Sequence, residues 1–212
     1  VVENAEFAER LDTSDEWIRT RSGIERRHFA AEGERTSDLA APAAERALAA
    51  AGIAASDLDA IVLATATPDE TFPSTATRVQ QAIGMGGGFA FDVQAVCAGF
   101  VYAVSMADAM IRAGQARTVM VIGAETFSRI LDWEDRATCV LFGDGAGAVI
   151  LSAEAGAGTL ADRGVQAVKL HSDGAHHDLL YVDGGPSSTG TAGVVRMEGR
   201  KVFQHAVNKL AE

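Results

Sequence analysis

The sequence predicts an α/β layer fold with a largely parallel sheet. Short apolar runs of strand length alternate along the chain with longer segments of helical periodicity. The runs at 61–64 and 118–122 are apolar at successive residues, as in strands that are covered on both faces. The composition, 48% hydrophobic and 22% charged, is typical of a globular domain and argues against disorder.

Helical patterns precede the first strand. Residues 4–11 form a polar helical stretch, and a second helix follows the Thr-x-x-Glu pattern of Thr13 and Glu16, which we interpret as a capping box. A longer, alanine-rich helix is predicted to begin after Ser37 and to end at Gly52. The amino-terminal part of the chain is therefore predicted to be helical.

Strands and helices alternate from residue 61 onward. The predicted strands cover residues 61–64, 89–93, 118–122, 146–151 and 165–170. The predicted helices cover residues 75–83, 97–112 and 201–210.

The charge and composition exclude several classes of function. The chain has 212 residues, with 18 basic and 29 acidic side chains and a net charge of −11, which argues against a nucleic-acid-binding protein. No run of about eighteen apolar residues is present, so no membrane span is predicted. The first residues lack the pattern of a signal peptide, and we expect a cytoplasmic protein. Two cysteines are too few for a disulfide framework.

Cys97 is the strongest candidate for a catalytic residue. It follows the predicted strand 89–93 and lies in the first turn of a long predicted helix. Free amides and the positive end of the helix dipole favour a thiolate there, and a thiolate at a strand-to-helix turn suits covalent acyl transfer. Placement alone is equally compatible with a buried structural cysteine. The other cysteine, Cys139, lies in an apolar run and is predicted to be a core residue.

A glycine-rich segment, residues 142–148, contains a Gly-x-Gly pair. A dinucleotide-binding interpretation is weak, because the segment precedes a predicted strand instead of opening a helix. A sharp bend or a close backbone approach explains the glycines better.

The remaining polar candidates are less specific. Arg21 follows Trp17 by four positions, so the two side chains share a helix face, either as a surface cation-π pair or as a platform for an adenine ring and a phosphate. No metal site is predicted. We expect structural or solvated roles for all the histidines, which are His28, His171, His176, His177 and His205.

Three segments together resemble β-ketoacyl-acyl carrier protein synthase III. Residues 11–24 are similar to the amino-terminal signature of that family. Residues 97–100, Cys-Ala-Gly-Phe, match its nucleophile motif, and residues 142–148, preceded by Asp135 and Arg136, match its glycine-rich motif. The resemblance implies a thiolase-like fold of αβαβα layers and a homodimer. It also implies a reaction in which an acyl-CoA primer condenses with malonyl-acyl carrier protein to initiate fatty-acid synthesis, with no cofactor beyond the CoA thioester substrate.

The resemblance also implies roles for individual residues. Cys97 would be acylated from CoA, and the adenine of CoA would lie between Trp17 and Arg136. Arg21 would lie near the CoA phosphates, with Thr13 close by. Phe72 and Phe142 would bound the acyl pocket, with Phe72 reaching the pocket of the partner subunit, which predicts a short primer such as acetyl or propionyl. Candidates for docking the acidic carrier protein against the net negative charge are Arg200, Lys201 and Lys209.

By the same resemblance, the sequence lacks the first strand of the family and its carboxyl-terminal third, which carries a catalytic His and Asn. We therefore expect the amino-terminal thiolase-like half in residues 1–160 and the start of the second half in residues 161–212.

Two other functions stay open. One is a related condensing enzyme of specialised, polyketide-type metabolism, because it would share every motif named above. The other is a non-catalytic dimerisation or binding fragment, because the decarboxylating His and Asn are absent.

Overall fold

The computed structural model describes residues 1–211, which divide into two compact units. Unit 1 comprises Val1–Phe29, Phe127–Asp144 and the described residues from 171 onward. Unit 2 comprises Ala30–Thr126 and Gly145–Leu170. The predicted boundary at residue 160 concerns the two halves of the related fold and stays a prediction.

The elements follow the alternation that the sequence predicts. The helices are α1 (Asn4–Ala8), α2 (Asp15–Ser22), α3 (Thr36–Ala51), α4 (Thr75–Ala82), α5 (Gly99–Arg112), α6 (Arg136–Cys139) and α7 (Gly199–Ala211). The strands are β1 (Val2–Glu3), β2 (Arg26–Arg27), β3 (Ala60–Ala64), β4 (Phe89–Val93), β5 (Thr118–Glu125), β6 (Gly145–Ser152), β7 (Leu180–Val182) and β8 (Val195–Met197).

Unit 2 is built on a mixed four-stranded sheet in the order β4-β3-β5-β6. Strand β3 pairs in parallel with both β4 and β5, and β6 pairs antiparallel with β5 from Thr118↔Ser152 to Glu125↔Gly145. The predicted sheet is thus confirmed as largely parallel, with one antiparallel edge strand. The carboxyl ends of β3, β4 and β5 lie at one edge, where parallel sheets place their functional sites.

The central strands of this sheet are covered on both faces. On one face, Ile61 and Leu63 of β3 pack with Met120 and Ile122 of β5 against α3 and α4. On the other face, the alternate residues of β3 and β5 pack against alanines of α5. Small side chains on this second face let α5 lie close to the sheet, which fixes the position of the turn that precedes the helix.

Unit 1 consists of short elements around an aromatic and aliphatic core. Strands β1 and β2 form an antiparallel pair, as do β7 and β8. The buried core residues of this unit are Phe7, Ile18, Phe127, Ile130, Leu131, Cys139, Val140 and Val195. Cys139 is confirmed as a core residue, and burial raises the pKa of its thiol.

Two local predictions are wrong. Residues 165–170 do not form a strand, because their backbone pairs with no strand of the described chain. The cap of α2 is Ser14 and not Thr13, since the Ser14 side chain accepts a hydrogen bond from the Trp17 backbone N–H at 3.0 Å. Both candidate caps fit the preference for small hydroxyl side chains, and only the backbone geometry separates them.

None of the helices within residues 1–211 is both long enough and apolar enough to span a membrane.

Candidate active site

Cys97 stands on an exposed, strained turn at the carboxyl edge of the sheet. The chain leaves β4 at Val93, forms a short 3-10 turn over Val96–Ala98 and enters α5 at Gly99. Val96 has a φ of +48°, a conformation that costs a β-branched residue on the order of 1 kcal/mol or more. Cys97 itself is exposed. Backbone strain at an exposed thiol distinguishes this cysteine from a structural one.

Two glycines let the turn lie close to the sheet. A Cβ added at Gly99 would come within 3.2 Å of the Ala64 Cβ on β3. A Cβ added at Gly123 would come within 3.3 Å of the Phe100 ring. The strands therefore support the turn at Cys97 directly, as a side chain that has to keep one orientation requires.

Cys97 opens into a cavity of about 240 Å³ within unit 2. Its wall is largely apolar or glycine, so it suits a small acyl group better than a charged ligand. The cavity is lined by Ala64, Val96, Cys97, Phe100, Gly123, Ala124, Glu125, Gly145, Ala146 and Gly147.

Glu125 is the site residue that the sequence reasoning missed. It ends β5 and, among residues 1–211, is the one that contributes a carboxyl group to the wall of the cavity. Burial raises the pKa of the Glu125 carboxyl, although hydrogen bonds from neighbouring groups oppose the shift. One feature of the sequence could have identified it, which is a single acidic residue at the end of a long apolar strand. Such a side chain must find hydrogen-bond donors when the strand is buried.

A second group of predicted residues comes together in unit 1. The Arg21 guanidinium lies 4.4 Å from the centroid of the Trp17 ring, and the Arg136 guanidinium lies 5.3 Å from the same ring. Arg136 also contacts Asp12 through the Asp12 carbonyl and a carboxylate oxygen at 3.2 Å. The structure therefore brings together one indole and two cations, a combination that suits an aromatic, negatively charged ligand.

Thr13 lies in the loop before α2. Its hydroxyl oxygen is buried, and within the described chain it has no hydrogen-bond partner. Such a hydroxyl is available to a ligand that the described residues do not include.

The two predicted acyl-pocket residues lie in different environments. Phe72 belongs to unit 2 and is 82% exposed, in the segment between β3 and α4. Phe142 belongs to unit 1, where its ring lies 4.5 Å from that of Phe127, centroid to centroid. Neither ring lines the Cys97 cavity as residues 1–211 form it, and the reach of Phe72 across a dimer stays a prediction.

The predicted docking cations, Arg200, Lys201 and Lys209, are exposed residues of α7. Lys201 forms an ion pair with Glu198 at 2.6 Å, which reduces its contribution to a basic patch.

The glycine-rich segment is a structural bend. A Cβ at Gly143 would come within 3.1 Å of the His28 carbonyl oxygen. Asp144 donates its backbone N–H to that carbonyl at 2.8 Å, and its carboxylate accepts hydrogen bonds from the Ser128 backbone N–H and hydroxyl. These contacts support the interpretation of a close backbone approach over that of a phosphate cradle.

The histidines do not assemble a metal site in the described part of the chain. His176 and His205 lie with ring centroids 4.1 Å apart, but no group of three or more His, Cys, Asp or Glu side chains in residues 1–211 could hold a metal ion.

Comparison with known proteins gives one consistent family. A family profile described as 3-oxoacyl-[acyl-carrier-protein (ACP)] synthase III matches residues 91–174, which include Cys97, Glu125 and Arg136. A curated relative, the β-ketoacyl-[acyl-carrier-protein] synthase III of Paramagnetospirillum magneticum, is 69% identical over 211 residues. That alignment covers 100% of this chain and 65% of the relative, so the chain spans about two thirds of the relative's length.

Solved structures agree with the sequence relatives. The β-ketoacyl-[acyl-carrier-protein] synthase III of Thermus thermophilus matches with a TM-score of 0.87 and 44% identity, over 98% of this chain and 64% of that chain. The priming β-ketosynthase of the R1128 polyketide pathway matches with a TM-score of 0.85 but only 28% identity, over 99% and 62% of the two chains.

Proposed function

Because the chain belongs to the β-ketoacyl-[acyl-carrier-protein] synthase III family and has its thiolase-like fold, we propose that it acts in a condensing acyltransferase with Cys97 as the nucleophile. The observation that carries the proposal is the exposed Cys97 on a strained turn, opening into a small and largely apolar cavity. The reaction begins fatty-acid synthesis by joining an acyl-CoA primer to malonyl-acyl carrier protein.

In the first half-reaction, the Cys97 thiolate attacks the carbonyl carbon of the acyl-CoA thioester. A new carbon–sulfur bond forms to Cys97, the bond to the CoA sulfur breaks, and CoA leaves as a thiolate that takes up a proton. A thioester is exchanged for a thioester, so no electrons are gained or lost and no redox cofactor is needed. The turn contributes by holding the sulfur at the mouth of the cavity that receives the acyl group.

In the second half-reaction, the malonyl group loses carbon dioxide, and the resulting carbanion attacks the acyl carbon held on Cys97. A carbon–carbon bond forms and the Cys97 thiolate is released. The family uses a His and an Asn for the decarboxylation, in motifs that do not occur in this sequence. We assign no residue of this chain to that step.

The proposed CoA site consists of Trp17, Arg136, Arg21 and Thr13. The adenine ring would lie between the indole and the Arg136 guanidinium, which are 5.3 Å apart and would have to separate to admit it. Arg21 would face the phosphates. The buried and unpartnered Thr13 hydroxyl would gain a hydrogen bond from the same ligand. Arg136 would have to exchange its contact with Asp12 for the ligand.

The proposed primer is short, such as acetyl or propionyl, because the family resemblance places Phe72 and Phe142 at the acyl pocket, where phenyl groups would take up volume. A panel of acyl-CoA thioesters, from acetyl to octanoyl with one branched member, tests the proposal by intact mass of the acylated protein. We expect acetyl and propionyl adducts to form fastest. A preference for the branched or long thioesters contradicts the primer assignment, and no adduct from any thioester contradicts the enzyme.

The proposed protein partners are malonyl-acyl carrier protein and a second copy of the chain in a homodimer, and the proposed compartment is the cytoplasm. Exposed Arg200, Lys201 and Lys209 on α7 would bind the acidic carrier. The double variant R200E/K201E is expected to raise the Michaelis constant for the carrier protein and to leave acylation from CoA unchanged. Equal losses in both steps would contradict this docking assignment.

The alternative is a condensing enzyme of specialised metabolism, which the match to a polyketide-pathway ketosynthase supports at lower identity. The same panel separates the two, because an enzyme of that kind would accept a primer other than the short fatty-acid starters.

A further inference from the structure

Glu125 is linked by hydrogen bonds to the chain segment 65–74, which carries Phe72. One carboxylate oxygen of Glu125 accepts the Ala66 backbone N–H at 2.8 Å. The other accepts the Thr67 hydroxyl at 2.5 Å and the Thr65 hydroxyl at 3.4 Å. A residue in the wall of the Cys97 cavity therefore fixes the first residues of this segment.

Buried threonines extend the link. The Thr126 backbone N–H donates to the Thr67 hydroxyl oxygen at 2.9 Å. The Thr36 hydroxyl, at the start of α3, donates to the Thr67 carbonyl at 2.5 Å and lies 2.9 Å from the Thr126 hydroxyl. Each of these threonines is less than 10% exposed, so the hydrogen bonds form away from water and hold their geometry tightly.

Hydrogen bonds of Asp69 anchor the second part of the segment 65–74. Asp69 accepts hydrogen bonds from the Ser37 backbone N–H at 3.0 Å and hydroxyl at 2.5 Å, and its own N–H donates to the Thr75 hydroxyl at 3.0 Å. Phe72, between these anchors, is exposed, so its position depends on the anchors and not on packing of its own.

We propose that Glu125 is a positioning residue that sets the acyl-chain selectivity of Cys97 by holding the segment that presents Phe72. The inference rests on the proposed function and its homodimer, in which Phe72 limits the length of the primer in the acyl pocket of the partner subunit. Glu125 thereby couples the wall of the nucleophile cavity to a selectivity element that lies elsewhere in unit 2. Loss of the carboxylate contacts frees residues 65–67, leaves the Asp69 contacts as the remaining anchor, and thereby lets Phe72 yield to longer acyl groups.

The test is a double-mutant cycle on Glu125→Gln and Phe72→Ala in the full chain. The readout is the ratio of Cys97 acylation rates with hexanoyl-CoA and acetyl-CoA, followed by intact mass. We expect F72A to raise the ratio by about tenfold and E125Q by roughly three- to tenfold, as for small changes in pocket volume. The double variant should match F72A alone, because Glu125 acts through Phe72.

Independent effects that multiply in the double variant would overturn the inference. So would an E125Q protein in which both rates fall together and the ratio is unchanged, since that is the result of a merely structural role. Thr67→Val, which removes the hydroxyl donor but keeps the side-chain size, should reproduce the change in ratio. Glu70→Gln is the matched control, because Glu70 lies on the same segment but is exposed and pairs with Arg78 at 2.6 Å.

Backbone amide hydrogen exchange tests the positioning role of Glu125 without relying on acylation of Cys97. In E125Q, the amide oxygen can still accept the Ala66 N–H, but the Thr67 hydroxyl loses its acceptor. The Thr126 backbone amide, which donates to that hydroxyl, should therefore exchange at least about tenfold faster, while the amides of β3 stay protected. Unchanged exchange at Thr126 overturns the positioning role. Absence of any acylation in the unmodified protein, with exchange altered in E125Q, instead contradicts the proposed function and supports the link between Glu125 and the segment.

Discussion

The cores of the two units differ in the kind of side chain that they bury. The core of unit 2 is a sheet whose central strands β3 and β5 consist of alkyl side chains almost fully removed from water. Unit 1 brings together three separate stretches of chain, and its interior contains a charge. Arg27 is only 6% exposed, stacks 4.4 Å from the Phe7 ring and donates hydrogen bonds to Asn4 at 2.8 Å and to the Val140 carbonyl at 2.9 Å.

The difference matches the tasks proposed for the two units. The nucleophile must hold one orientation, and Cys97 stands on a backbone turn packed against the rigid sheet. A cofactor-sized ligand such as CoA needs a surface that can exchange contacts. Trp17 and Arg136 provide one, because Arg136 is partly exposed and pairs with Asp12. Variants in unit 2 should therefore act on folding and covalent chemistry, and variants on the surface of unit 1 should act on binding.

The largest expected effect is on the sheet of unit 2. Gly88 has a φ of +70°, and a Cβ there would overlap the Asp59 carbonyl oxygen, which accepts the Phe89 N–H at the start of β4. Gly88→Ala should lower the free energy of unfolding by about 3 kcal/mol or more. Gly87→Ala is the control, since a Cβ at Gly87 meets nothing within 4 Å and should cost about 1 kcal/mol or less. Equal unfolding midpoints of the two variants in urea would contradict the account.

The next effect is on the charged core of unit 1. Arg27→Ala removes two hydrogen bonds and leaves their buried acceptors unpaired, so it should cost about 3 kcal/mol. Both tryptophans, Trp17 and Trp133, lie in unit 1, so their fluorescence reports this unit alone. We expect the fluorescence midpoint of R27A to fall further than the midpoint by circular dichroism. Midpoints that shift together would show that the two units do not differ in the way described above.

A smaller effect is expected for ligand binding. Trp17→Ala removes the ring that two guanidinium groups approach, and should raise the acyl-CoA concentration for half-maximal acylation of Cys97 by about tenfold. The maximal rate should be unchanged. Phe203→Ala, at an exposed apolar residue of α7 in the same unit, is the control and should change neither quantity. A loss of maximal rate in W17A without a change in half-saturation would argue against the CoA site.

The smallest effect is a pH dependence in unit 2. Asp59 accepts hydrogen bonds from the backbone N–H groups of Arg117 at 2.7 Å and Thr118 at 3.0 Å, which lower the pKa of its carboxyl. Because the pKa is lower in the folded state, the stabilisation is complete above the unfolded-state pKa near 4 and is lost as the pH falls through the folded value. Asp59→Asn should cost about 0.5–1 kcal/mol at pH 7. Below about pH 4, the difference in unfolding free energy between this variant and the unmodified protein should become smaller. A difference that becomes larger there would contradict the assignment.

Periodicity was enough to predict the scaffold of unit 2. The predicted strand 89–93 agrees with β4, and the buried runs at 61–64 and 118–122 lie within β3 and β5. Helix α3 ends at Ala51, and Gly52, where the sequence predicted the end, forms the cap with a left-handed φ of +68°. The place of Cys97 between a strand and a helix was also predictable, because one strand ends and one helix begins there, whereas its exposure was not.

What the sequence could not predict depends on contacts between distant residues. Apolar residues in 165–170 suggested a strand, but a strand needs a neighbour to pair with, and local composition does not supply one. The sequence places Arg27 in a charged loop. In the structure it is a core residue, because its guanidinium donates hydrogen bonds to Asn4 and to the Val140 carbonyl. Glu125 belongs to the site because Ala66 and Thr67, 59 and 58 positions away, supply its hydrogen bonds.

The central claim is that Cys97, and no other residue, carries the acyl group. Incubation with acetyl-CoA followed by peptide mapping by mass spectrometry tests it directly. We predict one acetyl thioester, on the peptide that contains Cys97, which is lost in Cys97→Ala and retained in a Cys139→Ala variant of the buried cysteine. An adduct that persists in C97A, or an unmodified protein that forms none, would contradict the account.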